Sequence, residues 1–462
     1  MKFKPLILFI TMQKYARFIS QMAIMRFRII NEKRCRVTEM NYSRIILGYS
    51  LAFAASLSAM SLLTTVQAQV PTLKLNKTQF VYQGAFRFKI STFGASRLSF
   101  QQGTFTVNPN SNSIYIIGHD HHQAIAEFPI PALVNSTSLE DLPVVQPLQN
   151  FVTLLERVPS GNPDIIDKIT GLELVNGQLI ANATGFYDGE GDNTDTTFVI
   201  RDPSNLAGSA IDGFFKLEAR SHASGWMTRI PIEWQSALES SYITGFASNY
   251  AINSRNSIGP SAFTFSPDQV LNDATIASPV IQTTTLLDFS VDHRLHPEPY
   301  NGFGTNDIWT EVSEAYLGFI APSTATYVTV GNSGGHGPLG IGYKITQENG
   351  HLCGGPCPYD YTDHYNYIWL WDVNDLLKVK TGEINSYDVR PYEYGELVLP
   401  FQDTGLTYNL IGAADFDPTT DLLYILLKRG DPLQSAFEQA PIMVVYKLDL
   451  VRPNPPTGVS VK

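Results

Sequence analysis

Four stretches of this 462-residue chain share one form: an apolar strand, a tight turn and a second apolar strand. Phe105-Thr-Val-Asn-Pro-Asn-Ser-Asn-Ser-Ile-Tyr-Ile116 parallels Asp415-Phe-Asp-Pro-Thr-Thr-Asp-Leu-Leu-Tyr-Ile425. Phe319-Ile-Ala-Pro-Ser-Thr-Ala-Thr-Tyr-Val328 is a looser copy. Gly171-Leu-Glu-Leu-Val-Asn-Gly-Gln-Leu-Ile180 turns on Asn176-Gly177, a pair that favours a two-residue hairpin. Elsewhere short runs of Val, Ile, Tyr, Phe and Thr alternate with Gly, Pro, Asn and Asp, and helical periodicity is confined to residues 231–240 and 373–378. The chain therefore reads as all-β. Hairpins repeated at long, irregular spacing predict a β-propeller of four-stranded blades, and roughly 50–60 residues per blade predicts seven. A β-helix would repeat at shorter, more regular intervals.

Residues 69–462 are expected to form this single propeller, a catalytic domain with insertions at about 220–260 and 336–366. Residues 1–68 read as a leader. Residues 1–39 have no clear pattern and read as a start-site artefact. From Met40, a basic Arg44, an apolar run and Val66-Gln67-Ala68 form a secretory signal cut near Ala68. The protein is then secreted or periplasmic, with no integral membrane span after cleavage, and a monomer is expected. Ten of the 32 Lys and Arg lie in residues 1–68, against two of the 43 Asp and Glu, so residues 69–462 carry a formal charge of −19. That acidity argues against nucleic acid, which needs a basic footprint. An anionic substrate would need a local basic cluster.

A propeller brings distant loops to one face. The loop after each second strand and the loop entering each inner strand lie at the same end of the axis. Gly118-His119-Asp120-His121-His122-Gln123 follows a second strand, and imidazole is the side chain suited to proton transfer near neutral pH. His119-x-His121 could instead hold a metal, or the turn could be merely solvated. Tyr187-Asp188, Gly334-Gly335-His336 and Arg429-Gly430-Asp431 occupy equivalent places. The segment 220–260 carries Arg220, His222, Trp226, Arg229, Tyr242, Tyr250 and Arg255; its arginines could clamp a carboxylate or pair with this protein's own acids.

His351-x-Cys353-x3-Cys357-x6-His364 offers two thiolates and two imidazoles, a tetrahedral set for a structural zinc. The competing expectation is a Cys353–Cys357 disulfide, natural in an oxidising compartment. Asp188, Glu190 and Asp192 alternate with glycines and could take calcium, or form a solvated hairpin tip. His293 and His296 suit packing or function equally. Neither a phosphate loop, a dinucleotide fingerprint nor a Gly-x-Ser-x-Gly elbow is present. Glu298, Glu311 and Asp431 are carboxylates without distinguishing context.

With these residues, the chain resembles the seven-bladed polysaccharide lyases that cleave ulvan. The resemblance rests on Gly118–Gln123, Tyr187, the arginine-bearing segment and the Cys353/Cys357 region. It implies β-elimination at a uronic acid in an anionic, sulfated algal polysaccharide. Arg255 would neutralise the carboxylate, His121 or His122 would take the C5 proton, and Tyr187 would protonate the leaving oxygen. His119, Arg220, His222, Tyr250 and His336 would bind substrate. The alternatives are a propeller glycoside hydrolase with an Asp/Glu pair, or a carbohydrate-binding propeller without activity.

Overall fold

In the computed structural model, residues 70–450 are described except 189–190, 247–257, 272–279, 404–408, 436 and 439. The chain divides into Met1–Ala68 and Gln69–Lys462, and all described residues belong to the second unit. Strand β1 (Phe80–Phe88) comes first. Blade one is β2 (Phe105–Asn108), β3 (Ser113–Ile117), β4 (Ala124–Pro129) and β6 (Gln149–Thr153); the short β5 (Val144–Val145) leaves to pair parallel with β1. Blade two is β7 (Lys168–Val175), β8 (Gln178–Thr184), β9 (Asp195–Ile200) and β10 (Ile211–Leu217). Blade three is β11 (Met227–Arg229), β12 (Tyr242–Thr244), β13 (Ala262–Phe265) and β15 (Thr283–Leu287), with β14 (Val280–Ile281) added to the edge of β10. Blade four is β16 (Glu314–Ile320), β17 (Thr326–Gly334), β20 (His364–Asp372) and β21 (Glu393–Glu396). Between β17 and β20 lies a separate ribbon of β18 (Ile341–Tyr343) and β19 (Pro356–Pro358). Blade five is β22 (Ile411–Asp417), β23 (Leu422–Asp431), β24 (Ala440–Leu448) and, as its outer strand, β1.

The inner strands β2, β7, β11, β16 and β22 touch one another in that order, and β22 returns to β2. The ring therefore closes at five blades, and the expectation of seven is corrected. The inner strands begin at residues 105, 168, 227, 314 and 411, so the longest interval, that of blade four, takes 97 residues against the roughly 50–60 assumed. Two features lengthen it: the β18–β19 ribbon, and the helix Val373–Thr381 after β20. The four hairpins visible in the sequence are the first two strands of blades one, two, four and five. In blade three the helix Ile232–Leu238 replaces the turn. Within the segment expected as an insertion at about 220–260, residues 227–244 form the first hairpin of this blade.

Apolar side chains fill the gaps between blades. Phe105, Ile114 and Phe128 of blade one meet Tyr424 and Met443 of blade five. Ile117 and Ile125 meet Leu172 and Phe198 across the next gap. Phe319 and Phe416 stack between two inner strands, their ring centroids 4.1 Å apart. Inner strands approach closely near the axis; a Cβ on Gly171 would lie 1.8 Å from the carbonyl oxygen of Gly225, so that contact requires glycine.

Candidate functional site in the axial pocket

Three inner strands carry a bulge at the same place, close to their first residues. The register slips between Ile169 and Gly171, between Ala315 and Leu317, and between Ile411 and Ala413. A bulge adds one residue and re-aims its side chain. The added residues are Thr170, Tyr316 and Gly412, and all three line one pocket at the end of the axis where the inner strands begin. Its walls and mouth contain about 910 Å³ of space, solvent included. Phe186, Trp226 and Phe246 supply apolar surface, and Asp120, Lys168 and Glu314 supply charge.

Two charged groups face this space. On the side of blades one and two, Lys168 Nζ lies 2.7 Å from Asp120 Oδ1 and 5.6 Å from the centroid of the Phe186 ring. The Gln123 side chain ties the loop down: its Nε2 donates to the Asp120 carbonyl at 2.6 Å, and its Oε1 accepts from the Ile169 N–H at 2.7 Å. On the side of blades four and five, the Tyr316 hydroxyl donates to Glu314 Oε2. Lys428 Nζ donates to the same hydroxyl oxygen at 2.9 Å and lies 3.8 Å from Glu314 Oε2. Asn332 Nδ2 donates to that carboxylate at 3.1 Å. Gly412 makes this geometry possible, because a Cβ there would lie 2.5 Å from Lys428 Cγ. The phenol oxygen is thus shared between a carboxylate that can accept its proton and an ammonium that stabilises the phenolate.

None of the described residues expected from sequence to act in catalysis or substrate binding lines this pocket. The loop 118–123 reaches the axis through Asp120 and Gln123. Its imidazoles turn away: His119 stacks on His122 at 4.6 Å and packs near Phe100, and His122 Nδ1 is 3.1 Å from Ser96 Oγ. His121 is exposed. Burial, with the neighbouring imidazoles and Arg97, holds the His119 pKa below its usual value. Tyr187 is 76 % exposed, while the preceding Phe186 faces the pocket. Arg220 and His222 come together in another groove, near blade three's outer strand, where His222 Nδ1 is 2.6 Å from Asp288 Oδ1. His336 is stacked on Tyr365 and bonded to Ser333 Oγ at 2.8 Å, and burial lowers its pKa. Tyr250 and Arg255 lie outside the described residues. Asp431 is fully buried against Arg87 and is unavailable to substrate.

Cys353, in the loop that joins β18 to β19, and Cys357, in β19, are joined by a disulfide. Disulfide sulfurs are not thiolate ligands, so the zinc set His351, Cys353, Cys357 and His364 gives way to the competing expectation. Among the described residues no three His, Cys, Asp or Glu are grouped to hold a metal ion. The Asp188 carboxylate accepts from the backbone N–H groups of Asp192 and Asn193, at 3.0 and 3.3 Å, which braces the hairpin tip expected to take calcium. Glu190 lies outside the described residues.

Sequence reasoning missed Lys168, Glu314, Tyr316 and Lys428. A signal was present for Tyr316: it stands three residues before the looser hairpin copy, where Thr170 stands just before the Gly171 copy. Lys428 immediately precedes the Arg429-Gly430-Asp431 turn. Among the described residues no helix is long and apolar enough to cross a membrane. Comparison with protein-family models and with curated proteins gives no match.

Proposed function

We propose that this propeller is a polysaccharide lyase that takes a uronic acid of an anionic polysaccharide into the axial pocket and cleaves the chain by β-elimination. The observation that carries the reading is the Glu314–Tyr316–Lys428 relay at the pocket wall. Lys168, across the pocket and paired with Asp120, is the pocket-lining cation that would meet the uronate carboxylate, and charge matched there stabilises the enolate-like intermediate. Tyr316 takes the C5 proton as its own proton moves to Glu314. The electron pair forms the C4–C5 double bond and the C4–O4 bond breaks. Tyr316 then gives a proton to O4, and Glu314 returns the one it held. The ring faces of Phe186 and Trp226 offer apolar surface to a sugar. The roles first expected of His121, His122 and Tyr187 pass to Tyr316, and Lys168 meets the carboxylate; Arg255, expected to do so, lies outside the described residues. Secretion would place the enzyme where such polymers occur.

Asp120 and Glu314 also face the pocket from different blades, which favours a glycoside hydrolase as the second reading. Each carboxylate is matched by a lysine, an arrangement less suited to a general acid. The test is the ultraviolet absorbance of the unsaturated product, followed over a panel of uronate polysaccharides that includes ulvan. A rise that disappears in Tyr316→Phe supports elimination. New reducing ends without absorbance would select hydrolysis.

A further inference from the structure

A second polar groove lies on the outer edge of the propeller, where the long connection from β15 to β16 meets the segment before β21. Ser386 Oγ donates to the Asp288 carbonyl at 3.4 Å, which sets this groove beside the pocket-side end of β15. Its walls include His293, Arg294, Tyr387, Asp388 and Arg390. His293 and Tyr387 stack face to face, with centroids 3.8 Å and planes 6° apart, and make a flat aromatic platform.

Both arginines are held by backbone carbonyls. Arg294 Nε donates to Val291 O at 3.0 Å, and one Arg390 terminal nitrogen donates to Tyr387 O and Val389 O at 2.7 and 2.9 Å. Among the described residues the arginine ion pairs are those of Arg87, Arg97 and Arg201. Residues 69–462 carry 41 acids for 22 bases, so guanidinium groups left without a carboxylate do not lack for candidates. Their remaining N–H donors suit a planar anion held by paired hydrogen bonds. Asp292 and Asp388 beside them can accept from hydroxyls. A sugar ring with one acidic group matches all three features: aromatic face, guanidinium pair and hydroxyl acceptors.

We infer that this groove is a rim subsite for an acidic sugar residue of the same polymer, away from the bond cleaved in the axial pocket. The inference rests on the proposed function for the identity of the polymer. The experiment is affinity electrophoresis through gels containing polygalacturonate, ulvan or neutral dextran, in a Tyr316→Phe background so that the polymer stays intact. Arg294→Ala/Arg390→Ala and Tyr387→Ala should each weaken retardation by the acidic polymers at least about tenfold, with thermal midpoints unchanged and dextran without effect. The Arg294→Ala/Arg390→Ala change in the otherwise native protein should leave turnover of a short oligosaccharide as it was. Retardation that survives both changes would overturn the subsite, as would an equal loss on dextran. Because binding is read without cleavage, an inactive protein that still shows arginine-dependent retardation would sink the lyase reading and keep the groove.

Discussion

A buried ion pair lies where β1 joins the last blade. Arg87 on β1 places a terminal nitrogen 3.4 Å from Asp431 Oδ1 at the end of β23, and the Asp431 side chain is fully shielded from solvent. The same carboxylate accepts from Leu433 N at 3.1 Å and from Gln434 Nε2 at 2.7 Å, while Arg87 also donates to the Leu142 carbonyl. Asp431→Ala would leave a guanidinium buried without a counter-charge, a change that costs about 3–5 kcal/mol. For about 390 residues at roughly 2.1 cal/mol/K each, the unfolding entropy is near 0.8 kcal/mol/K, so the melting point should fall by about 5 °C. Adding Arg87→Met removes the stranded charge and should recover part of that loss. Scanning calorimetry of the wild type, both single variants and the double variant measures this. A melting point for Asp431→Ala within about 1 °C of wild type would refute the reasoning, as would a double variant less stable than Asp431→Ala.

Gly412→Ala should keep the fold but push Lys428 off the Tyr316 hydroxyl, because the new methyl carbon would meet Lys428 Cγ at 2.5 Å; the turnover assay against a normal melting curve checks it. Burial pushes the Asp415 carboxyl up to about 7. A raised folded value stabilises the protein fully below the unfolded value of 3.8, and that contribution is lost as pH rises through about 7. Denaturant midpoints should therefore fall between about pH 4 and pH 8, and the slope should flatten in Asp415→Asn; an unchanged slope would remove Asp415 as its cause. Cys353 and Cys357 should resist alkylation until a reductant is added, and alkylation before reduction would contradict the disulfide. Because only four positions separate them, Cys353→Ser should cost no more than about 2 kcal/mol.

What was legible in the sequence was local. A strand, a turn and a strand are adjacent in the chain, so the hairpins at 105–116, 171–180, 319–328 and 415–425 could be read directly. The blade count depends on how much chain each blade consumes and on β1 joining β24, and no local pattern records that pairing. The hairpin of blade three was hidden because a helix stands in place of its turn. The site followed the same division. Topology brought the loop 118–123 and the turn at Tyr187-Asp188 to the end of the propeller where the pocket lies, since connections after second strands share one end. It could not say which side chain of each loop faces the axis. Asp120 and Phe186 do, and His121 and Tyr187 beside them do not. That choice is set by bulges and by tethers such as Gln123 to Ile169, which join residues far apart in sequence.

The most direct test of the axial relay is product absorbance from the protein on uronate polysaccharides, wild type beside Tyr316→Phe. Removing a positioned proton-transfer group should lower turnover by about 10²–10⁴-fold, with the melting curve unchanged. Wild-type activity retained in Tyr316→Phe would show that the Glu314–Tyr316–Lys428 cluster is not where the proton moves.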